Sequence, residues 1–279
     1  MRTLVIGASG FVGRHLVKHF RGAGTTTSGG DGFLRLDITV PGELNSVIES
    51  LNPDIVINSS GMTNVDACEL APELAMKVNG YAIRDLSEAC RKIGARLVHI
   101  STDYVFNGMK GNYVETDTPD PVNSYGNSKL LGEKYAAVEG NAIVRISTPY
   151  GINLNSKKET FSEFVVKKLS AGQSFRAATD LITTPTYVGD ISPTVEAIIK
   201  EDLEGLIHLG GERKLSRYEF ALSIARLGGF NQDLVIPCLS NELPFKARRP
   251  LDTSLNSNYI KKYVKLSDLE KSLLYSTSK

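Results

Sequence analysis

Apolar positions in the first half of the chain follow two alternating rhythms. Short runs dense in Val, Ile and Leu, "TLVIG", "GFLRLDI", "DIVINS", "ARLVHIS", "NAIVRIS" and later "GLIHLGG", read as strands. Between them apolar residues recur every three to four positions, from Phe11 to Phe20, Leu44 to Leu51, Leu74 to Ile93 and Tyr125 to Val138, the spacing of one helix face. The strand runs barely alternate with polar residues, as expected when helices cover both faces of a sheet. This order predicts an α/β fold with a mostly parallel, doubly wound sheet.

After about residue 150 the alternation weakens. "GINLNSKKET", "TDLITTPTYVGD" and "NELPFKARRPLDTS" read as long loops, which in a compact chain are more often functional than decorative. The expected division is a dinucleotide-binding domain over 1–150, re-entered at about 182–210, and a smaller, mixed C-terminal region from 151–181 and 211–279. That region would bind substrate over the carboxyl ends of the strands.

The glycine turn supports the first of these domains. "VIGASGFVGRHLV" sets Gly7, Gly10 and Gly13 directly after a strand and before an apolar helix, the context of a Rossmann-type dinucleotide site. Gly7 would permit the tight turn, Gly10 the approach of a pyrophosphate, and Gly13 close packing of helix on strand; Ser9, Phe11 and Val12 complete the turn and offer the helix amides. A second strand should end near Ser28, where an acid would favour NAD and a hydroxyl-lined pocket near Arg35 would admit NADP. With Thr26, Thr27 and Ser28 there and Asp31 slightly beyond, the balance falls to NADP(H), with NAD(H) as the alternative. Asp37, followed by Ile38, is placed either to accept from an adenine amine or to cap the helix that Pro41 begins.

Composition narrows the partners. Thirty-two basic against 31 acidic residues leave a formal charge of +1, so neither nucleic acid nor a membrane surface is an expected partner, and anionic ligands must be caught locally. Three cysteines, Cys68, Cys90 and Cys238, are far apart and without metal-ligand spacing, which argues against a disulfide framework or a zinc site and for a reducing cytoplasm. His15 and His19 stand four apart with no third ligand in sight, so no metal is assigned to them. Met1 leads almost directly into an apolar strand and no apolar run reaches spanning length, so neither secretion nor membrane insertion is expected.

The catalytic candidates are Tyr125 and Lys129. Four apart on a helix, they share a face, and an ammonium beside a phenol should draw its pKa down toward the working range. Y-x-x-x-K is common by chance. It gains weight from Ser101 and Thr102, which end the strand "VHIST" and could hold a carbonyl oxygen beside the phenol.

Glycine turn, strand-end hydroxyl and Y-x-x-x-K in this order resemble the extended short-chain dehydrogenase/reductase superfamily. Within it, "TNVDACE", "STDYVFNG", "YVETDTPDPVNSYGNSKLLGE", "TTPTYVGDIS" and "RRPLDTSLN" resemble the dTDP-4-dehydrorhamnose reductase family over nearly the whole chain. The resemblance implies NAD(P)H-dependent reduction of the C4 ketone of a nucleotide-linked 4-dehydro-6-deoxy sugar, such as dTDP-4-dehydrorhamnose to dTDP-rhamnose. Tyr125 would protonate the alkoxide, Lys129 would hold the nicotinamide ribose and Thr102 would polarise the ketone. Asn58, Ser59 and Ser60 would touch the cofactor where the next strand ends, with Thr63 beside them. Thr63, Val65, Thr102, Asp103, Tyr104, Thr148 and Arg249 fall at positions that border the substrate. The dehydratase cousins carry an Asp-Glu pair after the strand-end threonine; Tyr104 after Asp103 leaves half of that pair. The resemblance also brings a homodimer, sometimes with Mg2+ at its interface, although no ligand cluster in the sequence demands a metal.

Three departures bear on substrate. Thr148 stands where the family usually has tryptophan, Phe11 where it has glutamine, and Thr160 where asparagine is common. A reading from another class is a non-catalytic NADP-binding regulatory subunit, such as the one the same family supplies to methionine adenosyltransferase; the intact Thr102, Tyr125 and Lys129 weigh against it.

Overall fold

The computed structural model describes residues 1–277. Six strands and six helices make up the first half: β1 (Thr3–Ile6), α1 (Phe11–Phe20), β2 (Ala23–Thr26), β3 (Leu34–Arg35), α2 (Pro41–Leu51), β4 (Ile55–Asn58), α3 (Val65–Leu70), α4 (Pro72–Met76), α5 (Ala82–Ile93), β5 (Arg96–Thr102), α6 (Ser124–Ala136) and β6 (Ala142–Ile146). The second half adds α7 (Phe161–Ser170), β7 (Phe175–Ala178), β8 (Ile182–Thr183), α8 (Val188–Lys200), β9 (Gly205–Leu209), β10 (Leu215–Ser216), α9 (Arg217–Leu227), β11 (Val235–Cys238) and α10 (Leu269–Thr277).

The main sheet has seven parallel strands in the order β3-β2-β1-β4-β5-β6-β9. Chain order therefore reverses between β1 and β4, which opens a crevice outside their carboxyl ends. The alternation missing from the sequence is present in space. Leu4 and Ile6 of β1 join one buried layer with α2 and α5, whereas Val5 joins the other with α1 and α8. Both faces are covered, so both sets must be apolar.

The apolar spacing located α1 at its observed bounds, and α6 to within two residues of its C-terminus. Elsewhere the structure differs. "GFLRLDI" joins the main sheet only at Leu34–Arg35, an edge position with one neighbour. The continuous helix expected from Leu74 is interrupted by a π turn, Lys77–Tyr81, because Asn79 turns inward: its Oδ1 accepts from Met62 N at 2.8 Å and its Nδ2 donates to Met62 O and Ser128 Oγ, both at 2.9 Å.

The C-terminal elements enclose a core of their own, with Val165 and Leu169 of α7, Phe220 and Ile224 of α9, Phe175, Val235 and Leu273. Capping boxes start two of its helices, Thr160 with Glu163 and Ser216 with Glu219. Both lie where this region meets the strand ends. Among the described residues no helix is long and apolar enough to cross a membrane.

Candidate functional site

A cleft of about 340 Å³ lies at the carboxyl ends of the strands. One wall comes from the glycine turn and the ends of β4 and β5, with Tyr125 and Lys129 of α6; the other comes from Thr148, Pro149, Lys158, Glu159, Thr160, Phe161 and Arg217. Of the sequence candidates it gathers Gly10, Phe11, Val12, Ser59, Ser60, Thr63, Val65, Thr102, Asp103, Tyr104, Tyr125, Lys129 and Thr148.

The glycine turn is built as its spacing predicts. Gly7 has φ +79°, and a side chain there would sit 2.6 Å from Ser60 N, so the β1 and β4 turns touch backbone to backbone. A side chain at Gly13 would lie 2.1 Å from Gly7 O. Gly10, the N-cap of α1, supplies no side-chain bond, so the helix's first amides are not consumed by the protein's own cap.

α6 is anchored at its start. Asn123 Oδ1 accepts from Gly126 N at 2.8 Å while its Nδ2 donates to Arg248 O at 2.8 Å, tying the helix to the C-terminal loop. One face then presents Tyr125, Lys129 and Glu133 at successive four-residue steps. Glu133 receives Arg145 Nε at 2.9 Å and Nη2 at 2.6 Å, together with Ser101 Oγ at 2.5 Å. Lys129 Nζ donates to Ile100 O at 2.8 Å and lies 3.3 Å from His99 Nε2. Burial lowers its pKa to about 8, and Glu133 opposes that shift.

Tyr125 corrects an expectation. Its phenol hydrogen-bonds Thr102, but burial dominates and pushes its pKa up rather than down. The lysine that was to lower it is turned to Ile100 O instead. A phenol in this state keeps its proton at neutral pH and can give it only to a stronger base, such as an alkoxide. Thr102 differs as well. Its hydroxyl donates to Asp103 Oδ1 at 3.1 Å and accepts from Tyr104 N at 3.2 Å, so its proton points at the carboxylate. Asp103 is buried and also accepts from Ser147 Oγ at 2.7 Å and Thr253 Oγ1 at 2.5 Å. Burial raises its pKa and these hydroxyls partly offset the rise.

Several candidates lie away from the cleft. Asn58 is fully buried: its Oδ1 accepts from Ser60 N and Oγ and its Nδ2 donates to His99, so it supports Ser60 from behind. Ser9 Oγ donates to Thr26 Oγ1 at 3.2 Å, joining the glycine turn to the end of β2. Ser28 is exposed past that end and donates to Gly29 O. Asp37 neither caps α2, whose N-cap is Val40 without a side-chain bond, nor lines the cleft; it accepts from Thr39 N at 2.9 Å and Thr39 Oγ1 at 2.8 Å, and Ile38 is buried in the core. Arg249 is held by Asp66 Oδ1 at 2.9 Å and stacks over Phe245, lining an adjoining cavity with Arg176, Arg217 and Phe161. Its guanidinium is engaged before any ligand arrives.

Lys158 and Arg217 were missed by the motif reading. Lys158 Nζ donates to Thr63 Oγ1; Arg217 stacks over Phe161 and hydrogen-bonds Tyr104. Neither has a carboxylate partner within 4.0 Å among the described residues, and Arg217 lines both cavities. Only "SRYE", a helix-start signal, marked the latter's position. Thr148 holds a left-handed φ of +41° and meets Thr183 Oγ1 at 3.1 Å, a strained conformation at the cleft. His15 Nε2 meets Ile152 O and His19 meets Glu196; among the described residues no group of three His, Cys, Asp or Glu could hold a metal.

A doubly wound sheet with a glycine turn at its switch point, and a threonine, tyrosine and lysine gathered over the strand ends, defines a nicotinamide-dependent oxidoreductase of the short-chain type. Comparison with known proteins narrows the class. The chain belongs to the family described as RmlD substrate binding domain, which matches residues 1–273. A dTDP-4-dehydrorhamnose reductase of Aggregatibacter actinomycetemcomitans is 33% identical over 91% of this chain and 90% of its own length. The crystal structure of a hypothetical dTDP-4-dehydrorhamnose reductase from Sulfolobus tokodaii superposes with a TM-score of 0.87 at 34% identity, covering 95% of this chain and 96% of its own. That of Bacillus anthracis dTDP-4-dehydrorhamnose reductase, in complex with NADP, gives 0.86 at 28% identity, covering 98% and 96%.

Proposed function

We propose that the chain reduces the C4 ketone of a nucleotide-linked 4-dehydro-6-deoxy sugar, dTDP-4-dehydrorhamnose to dTDP-rhamnose being the pair its relatives indicate, with NADPH as reductant. The observation that carries this is the buried, protonated phenol of Tyr125 bonded to Thr102, with Lys129 one turn on, all three lining the cleft at the switch point. In the proposed division, 1–150 with 182–210 binds the cofactor and 151–181 with 211–279 binds the sugar nucleotide. The buried free thiols of Cys68, Cys90 and Cys238 accord with a reducing cytoplasm.

The glycine turn fits a dinucleotide: the amides at the start of α1 carry no side-chain cap, and Gly10, Phe11 and Val12 line the cleft beside them. When bound there, NADPH supplies the hydride. Tyr125 Oη gives its proton to the carbonyl oxygen as negative charge develops on it. Thr102, bonded to that phenol and donating to Asp103, holds Oη in place. Lys129, held at Ile100 O, offers its remaining N–H groups to the ribose hydroxyls. Lys158 and Arg217 take the diphosphate, since among the described residues neither has a carboxylate within 4.0 Å. Tyr104 occupies the place beside Asp103 where elimination would need a second carboxylate, which leaves simple reduction.

Purified protein mixed with NADPH and dTDP-4-dehydrorhamnose should oxidise the cofactor with one sugar reduced per turnover. NADPH binding without oxidation across a panel of dTDP- and UDP-linked ketosugars would reject the reductase and favour the non-catalytic subunit.

A further inference from the structure

His99 interrupts the apolar run from Leu97 to Ile100 in β5, and nothing assigned to the cleft accounts for it. It is fully buried on β5, register partner of Asn58 on β4 and neighbour of Lys129 on α6. The hydrogen bonds around it settle where its proton lies. Ser60 N is a backbone donor and can only donate, so the Asn58 atom 3.1 Å from it must be the oxygen; Ser60 Oγ reaches the same atom at 2.6 Å. Asn58 Nδ2 then faces His99 Nδ1 at 3.0 Å, so Nδ1 accepts. Burial, reinforced by the Lys129 charge, holds the imidazole well below its ordinary pKa and therefore neutral. A neutral ring that accepts at Nδ1 carries its one proton on Nε2.

Nε2 is 3.3 Å from Lys129 Nζ. We infer that His99 is a positioning residue for Lys129: Asn58 locks its ring as the Nε2–H tautomer, so it withholds an acceptor from the amine and leaves the amine's own N–H groups for a ligand diol. This rests on the reading of Lys129 as the residue that meets the cofactor ribose.

The other groups around the amine agree. Glu133, one turn further along α6, has its oxygens occupied by Arg145 and Ser101. Tyr125, one turn back, is engaged with Thr102. Ile100 O takes a single N–H at 2.8 Å. An ammonium has three N–H groups; among the described residues the protein accepts one and leaves two, the number a vicinal diol can take. An imidazole of the other tautomer would compete for one of them.

The first test is 15N NMR of histidine-labelled protein across neutral pH, with His99→Gln used to assign the resonances. The His99 ring should stay neutral, with Nδ1 unprotonated and Nε2 protonated throughout. An Nδ1–H tautomer, or titration near neutrality, overturns the inference without variants or turnover. The second uses Asn58→Asp, which keeps the acceptor for Ser60 but replaces the donor facing Nδ1 with an oxygen. The ring proton should move to Nδ1, Nε2 should accept from Lys129, and the Kd for NADPH should rise about tenfold, the scale of one charge-assisted hydrogen bond. A moved proton with unchanged NADPH affinity also overturns it. Failure of the folded wild-type chain to bind NADPH would instead remove the cofactor reading, with the tautomer still decided by NMR.

Discussion

Two cations occupy the same buried layer between the sheet and α6, and the protein treats them oppositely. Arg145 of β6, its side chain 1% exposed, is closed on every side: Glu133 takes Nε and Nη2, His208 Nε2 lies 3.3 Å from Nη1, and the guanidinium stacks over Phe106. Lys129, on the same face of α6 as Glu133, has one carbonyl, and among the described residues no carboxylate within 4.0 Å. Burying a charge is costly unless it is paired. The closed site meets that requirement from within and reads as structure. The open one leaves donors unmatched at the wall of a cleft, as do Lys158 and Arg217 at its rim, and unmatched donors are where a ligand completes the set.

The comparison can be broken at either end. Tyr125→Phe should cut turnover by roughly 10²–10⁴-fold with NADPH affinity nearly unchanged, because one proton donor is lost and no phosphate contact is touched. Steady-state rates and cofactor titration check both halves, and near-wild-type turnover would remove the phenol from its role. Next in size is the closed site. Glu133→Gln leaves Arg145 buried and uncompensated, and urea unfolding should show a loss of about 3–5 kcal/mol, whereas Arg145→Met combined with Glu133→Leu should recover most of it. If the single variant were as stable as the parent, the division between closed and open cations would fail.

At the rim, Arg217→Ala should raise KM for the sugar nucleotide about 10-fold or more while kcat stays within a few-fold, the pattern of lost ground-state binding. Arg249→Ala, whose guanidinium is already held by Asp66, should move KM less. Equal effects would restore Arg249 to the ligand. The mildest effect is that of pH. Lys129 titrates near 8 in the fold against 10.5 in the open chain, so its charge is present below about 8 and lost above it. NADPH affinity should therefore fall as pH rises through 8, and Lys129→Arg should remove that limb. Between 8 and 10.5 the unfolded chain binds more protons, so this residue's contribution to stability rises with pH there, opposite in sign to its contribution to binding.

Much of the site was legible because its signals are local. Gly7, Gly10 and Gly13 serve one turn, and Tyr125 with Lys129 one helix face; each pattern is set by the geometry of a single element. The candidates that do not line the cleft share a different trait. Asp37 stands open to an adenine amine or to α2, and the bonds it makes, to Thr39, lie in the turn before that helix. Asn58 sits at the end of its strand as expected, yet its side chain turns inward to His99. Arg249 carries the right charge, but Asp66, far away in sequence, had already claimed it. His99 and Arg145 did leave a trace, each a polar residue within an apolar strand run. Their direction, toward α6, follows only from the register of β5 against β4 and β6.

Taken alone, the sequence determined the fold class, the glycine turn, most of the order of strands and helices in the first half, and the placing of Tyr125 and Lys129 on one helix face. These follow from backbone sterics and from the 2- and 3.6-residue periods of strands and helices, which act between near neighbours in the chain. Tertiary structure decided which charges are spent and which are left over: Arg249 on Asp66, Arg145 on Glu133, and Lys158 and Arg217 on no carboxylate within 4.0 Å among the described residues. It also decided the protonation of the central groups. Desolvation and hydrogen-bond partners set those states, and both depend on segments that folding brings together from across the chain.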